Sequence, residues 1–98
     1  MQLLDNVTLE VSEAALNLRR SREKMTVALL AASQADENLR ATTDKYRAGL
    51  ATSTELLDAE VDLYTAQVQL SGAEAEYALA HAEVVRSVGG TGAGAPPP

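Results

Sequence analysis

The residues of this 98-residue chain that could do chemistry are carboxylates, one histidine, three tyrosines and a cluster of bases. His81 has Glu74, Glu76 and Glu83 near it in sequence. Tyr77 and Val85 occupy its i−4 and i+4 places, where a second ligand on the same helix face would stand. No metal site is predicted there. Glu60 and Asp62 are two apart and point to different faces of a helix, unlike a general acid–base pair. The chain has no cysteine, which removes disulfides, thiolate ligands and a Cys nucleophile, and leaves the redox compartment unread. No nucleophile–base pair and no Gly-rich phosphate loop is present. The expectation is a protein that is not an enzyme and takes no cofactor.

Charge narrows the partners. Arg19, Arg20, Arg22 and Lys24 could face anionic lipid or an acidic partner. Glu23 sits among them, which favours a solvated face making ion pairs of little net worth. The net charge of −6 argues against nucleic acid, because phosphate contacts need clustered bases. No stretch approaches the ~20 apolar residues of a membrane-spanning helix, so this segment is not expected to insert into a bilayer as one.

The elements that must position these groups are helices. The first 48 residues contain no Gly or Pro, and Ala, Leu, Glu and Arg are frequent. Leu4, Val11, Leu18, Met25, Ala32, Leu39 and Tyr46 are spaced by seven. Val7, Ala14, Ser21, Ala28, Ala35 and Thr42 follow at plus three. That pattern is a coiled-coil seam, and its strict period implies left-handed supercoiling. The second half repeats it with Leu56, Leu63, Leu70, Tyr77 and Val84, followed at plus three by Ala59, Ala66, Ala73 and Ala80. Large residues alternating with alanine predict close helix approach, with large side chains seated over small ones.

Between the halves, Gly49 suits a left-handed helix C-cap. Lys45 and Arg47 complement the preceding helix dipole. Thr52 and Glu55 form a T-x-x-E capping box expected to satisfy two orphan amides, with Ala51 and Leu56 at weak staple positions. Stop and start signals this close predict a fold-back. The expected fold is all-α, a long antiparallel two-helix coiled-coil hairpin. Its parts are a helix over 1–48, a turn over 49–52, a second helix over 53–88 and a disordered Gly/Pro tail over 89–98. Gly72 interrupts the second helix at a cost of about 1 kcal/mol relative to Ala.

Each helix also carries apolar residues off its seam: Leu9, Leu16, Val27 and Leu30 in the first, Leu57, Val61, Tyr64, Val68 and Val85 in the second. A hairpin needs one seam, and a second stripe suits a helix with two helical neighbours. Self-association is therefore expected. The first helix balances seven acids with seven bases, whereas the second has seven acids against Arg86 alone. That acidic helix suits a solvated face, a water-filled cavity or a basic partner.

The run Asp44-Lys45-Tyr46-Arg47-Ala48-Gly49-Leu50-Ala51-Thr52-Ser53-Thr54-Glu55-Leu56-Leu57-Asp58-Ala59 resembles the periplasmic tip of TolC-like outer-membrane efflux proteins. Asn38-Leu39 and, upstream, Glu10 to Ala14 with Asn17-Leu18 extend the resemblance over roughly residues 7–89. In that family three chains build one tube, a β-barrel in the outer membrane continued by a helical α-barrel in the periplasm. The resemblance implies that 1–48 is a descending helix and 53–88 a returning one, both part of that α-barrel. It implies that Gly49, Leu50, Ala51, Thr52 and Ser53 form the tip that docks the hairpins of a periplasmic adaptor, which links the channel to an inner-membrane pump. It also places Tyr46, Glu55 and Asp58 at the aperture or lumen. Carboxylates at i and i+3 share a helix face, and threefold repetition would make acidic rings that favour cations. Ala51 stands where the family's latch has an arginine, which puts a latch of that kind in doubt.

Bland readings stand beside these. Tyr46 suits the last packing layer, Glu55 a cap and Asp58 a dipole partner. Met1-Gln2-Leu3-Leu4-Asp5 lacks the basic start and apolar run of a signal peptide. The family's proteins need export, so the resemblance makes this chain a fragment of a trimeric Gram-negative efflux or type I secretion channel. The competing expectation is a stand-alone hairpin that serves oligomerisation or protein interaction without transport. An adaptor's own hairpin is a third reading, disfavoured by the tip pattern.

Overall fold

The computed structural model describes residues 2–89, with side chains from Thr8 onward. It holds two helices, α1 (Gln2–Arg47) and α2 (Ser53–Gly89), packed against one another along their lengths, with no strand among the described residues. This is the all-α hairpin expected from the sequence. The predicted Gly/Pro tail lies outside the described residues from position 90 onward, while Gly89 is the last residue of α2.

The shape follows from helix length. A helix of 46 residues rises about 69 Å at ~1.5 Å per residue, and the Cα envelope measures 71 × 26 × 14 Å. The radius of gyration is 21.4 Å, where a compact domain of this length would have about 13 Å. The molecule is one helix thick in one direction, so it can bury only the strip where the two rods meet.

That strip is built of small residues. The buried positions are Ala14 and Ser21 from α1, and Ala59, Ala66, Ala73 and Ala80 from α2. Ser21 and Ala80 line one crevice, and Ala28 and Ala73 line another. The large residues of the seven-residue repeat, among them Leu18, Met25, Leu39, Leu56, Leu63, Leu70 and Tyr77, are only half-buried. The deepest burial therefore falls on the small positions of the repeat. Small residues from both helices fill the centre and the large ones flank it. The reason is geometric: the position nearest the partner axis sets the helix separation, and small side chains there permit the closest approach. Ser21 is the one polar member of the centre. Its hydroxyl donates to the Leu18 carbonyl at 2.9 Å within its own helix, so no buried donor is left without a partner.

Few polar bonds tie the helices together. Lys24 Nζ meets a Glu76 carboxylate oxygen at 3.2 Å, with both side chains more than half exposed. This is the interhelical ion pair among the described residues, and such pairs contribute about 0–1 kcal/mol. A second pair, Arg40 with Asp36 at 3.2 Å, lies within α1 at i, i+4. Arg19, Arg20 and Arg22 are exposed.

Candidate docking tip and aperture

The tip begins where α1 stops. Gly49 has φ of 77°, a left-handed conformation that a Cβ disfavours. The Gly49 N–H donates to the Tyr46 carbonyl at 3.0 Å, and the Leu50 N–H donates to the Lys45 carbonyl at 2.7 Å. These are the two bonds of a Schellman cap, and they satisfy carbonyls that the end of a helix would otherwise leave open. In the usual form of this cap, the residue after the glycine packs an apolar side chain back on the last turn. Leu50 does not; it is 78% exposed.

α2 starts at Ser53, four residues beyond Gly49. Thr52 is its N-cap: the Thr52 Oγ1 accepts from the Glu55 N–H at 3.1 Å, and the Thr52 carbonyl accepts from the Leu56 N–H at 3.1 Å. The capping box predicted from sequence is half formed. Among the described residues, the Glu55 carboxylate makes no return bond to the Thr52 amide. Its side chain is free to face solvent while Thr52 alone caps the helix. Ala51 and Leu56, at the staple positions, are both half-buried.

The tip residues thus form a short turn held by four backbone and one side-chain hydrogen bond, with Leu50 projecting from its apex. Gly49, Thr52 and Ser53 are exposed beside it. Tyr46 occupies the last turn of α1 and is 44% exposed, so the hairpin alone does not close over it. Glu55 and Asp58 are exposed in the first two turns of α2. Their i, i+3 spacing puts them on one side of the helix, the side that carries Asp62 one turn further on.

Away from the tip, the Tyr77 and His81 rings lie 6.4 Å apart at 38°. Among the described residues no group of three or more His, Cys, Asp or Glu side chains converges as a metal cage would. No described helix is long and apolar enough to cross a membrane. The off-seam apolar residues singled out in the sequence, Leu9, Leu16, Val27 and Leu30 on α1 and Leu57, Val61, Tyr64, Val68 and Val85 on α2, are all exposed. Sequence reasoning missed Leu29 and Leu79, which are exposed as well. Both fall outside the stripes that periodicity selects, so spacing gave no signal for them.

The structure is that of a slender antiparallel helical hairpin with a capped turn, an exposed leucine at its apex and exposed apolar residues along its outer sides. The particular family is shown by comparison: the chain belongs to the outer membrane efflux protein family, whose profile matches residues 5–90. No curated protein and no solved structure matches the chain. The family is one of outer-membrane channels rather than of enzymes.

Proposed function

We propose that this hairpin is a periplasmic coiled-coil segment of a trimeric efflux or type I secretion channel, and that its tip docks the hairpins of a periplasmic adaptor. In this reading α1 descends to the tip and α2 returns from it. Neighbouring helices of the same channel cover the outer apolar stripes, and the adaptor couples the channel to an inner-membrane pump. Tyr46, Glu55 and Asp58 stand at the aperture. There the exposed carboxylates, repeated by threefold symmetry, form acidic rings favouring cations.

The observation that carries the docking part is Leu50. An exposed leucine on a mobile loop would say little. Here the backbone beneath it is fixed by the cap at Gly49 and the N-cap at Thr52, so the side chain is presented in one place at low ordering cost, as a docking anchor should be. Membership of the outer membrane efflux protein family supports the channel setting in which such a partner is proposed.

The test is binding of the cognate adaptor's hairpin, measured by titration calorimetry or interferometry. Leu50→Asp should weaken binding at least tenfold while leaving the helical circular dichroism unchanged. Unchanged affinity would mean that the loop is only a turn and would reject the docking assignment.

A further inference from the structure

We propose that α2 carries a hinge at Gly72, where the hairpin is held together least, so that its tip half bends relative to its open end. This does not rest on the transport reading.

The first observation is that nothing in the hairpin requires glycine there. Gly72 has ordinary helical geometry, and a Cβ built on it meets no atom within 4 Å. Gly49, by contrast, is demanded by its positive φ. Among the described residues Gly72 is the glycine inside a helix and away from its ends. Glycine at such a position raises the opening equilibrium of the surrounding turn about fivefold relative to alanine.

The second observation is independent and lies on the opposite helix. One turn beyond Ala28, which lines a crevice with Gly72, the repeat of large residues in α1 lapses, because Ala32 takes a place held elsewhere by Val11, Leu18, Met25 and Leu39. Ala28, Ala31, Ala32 and Ala35 face the seam as half-buried residues, while Val27, Leu29 and Leu30 point outward and are 59–68% exposed. The apolar bulk of α1 is thus turned away from α2 at this level. An open crevice of about 280 Å³ remains, floored by Ala28, Gly72 and Ala73. Dispersion contacts scale with atoms in reach, so a level flanked by Ala32 resists bending less than one flanked by a leucine.

The third observation concerns what bridges the gap. Lys24 and Glu76 line the crevice and meet at 3.2 Å. Both are largely solvated, so they can part and re-form at little cost as the helix flexes. A weak backbone, a thin layer and a yielding clamp lie within about two turns of one another, and helix bends have local causes of this kind.

Amide hydrogen exchange on the full chain tests the hinge, because it reads local opening residue by residue. The amides of residues 73–76 should be protected at least tenfold less than those of residues 62–68 and 78–82. Gly72→Ala has room for its Cβ and favours helix, so the variant will fold. It should slow exchange at 73–76 about fivefold and leave the flanking amides within twofold. A wild-type profile with no minimum at 73–76 would overturn the proposal. So would an equal slowing of all α1 and α2 amides in Gly72→Ala, which would show that the glycine affects only overall stability.

Discussion

The turn and the shaft of this hairpin are held by different physics. The turn is fixed by backbone hydrogen bonds whose donors and acceptors are specified residue by residue: Gly49 by its φ, Thr52 by its hydroxyl. Among the described residues the shaft is held by burial of alanine and one serine along the seam, with one exposed ion pair across it. Local geometry therefore defines the tip, and it needs little from neighbours. The shaft leaves its larger side chains half-buried or exposed, and its stability depends on what packs against it.

The comparison can be broken most forcefully in the shaft. Ala59 is 2% exposed, the lowest value among the buried residues. Ala59→Leu should separate the helices and cost about 1–3 kcal/mol or more from overpacking, seen as a lower urea midpoint at fixed chain concentration. A neutral result would mean that the alanine strip does not set the helix spacing. At the turn, Gly49→Val places a β-branched residue at φ of 77° and should cost about 1–2 kcal/mol. Gly49→Asn should cost less, because asparagine tolerates that conformation. Thr52→Ala removes the hydroxyl that caps α2 and should cost about 1 kcal/mol, with Thr52→Ser recovering most of it. Smallest of all, Lys24→Met should change stability by less than ~1 kcal/mol, and its effect should vanish in high salt.

The same contrast explains what the sequence revealed. The fold was legible because two independent signals agreed: a seven-residue period in each half, and stop and start signals three residues apart at Gly49 and Thr52. Periodicity tells which face of a helix turns inward but not how deep each side chain goes. That the small residues are the most deeply buried therefore became visible only in the structure, where Ser21 and Ala80 line one crevice and Ala28 and Ala73 another. The capping box was legible in its Thr52 half. The return bond from Glu55 depended on a side-chain rotamer that sequence does not specify. For Leu50, sequence supplied the position, at the residue after the cap glycine. Its 78% exposure depended on whether any neighbouring side chain reached it.

The exposed apolar sides of the rod fit it to be one element of a larger helical assembly. Sedimentation equilibrium of the chain, run alongside circular dichroism over a concentration series, tests that claim most directly. The account predicts that helicity and association rise together through the micromolar range, because the exposed Leu9, Leu16, Leu57, Val61 and Val68 find partners only between chains. A fully helical, cooperatively unfolding monomer across that range would contradict it.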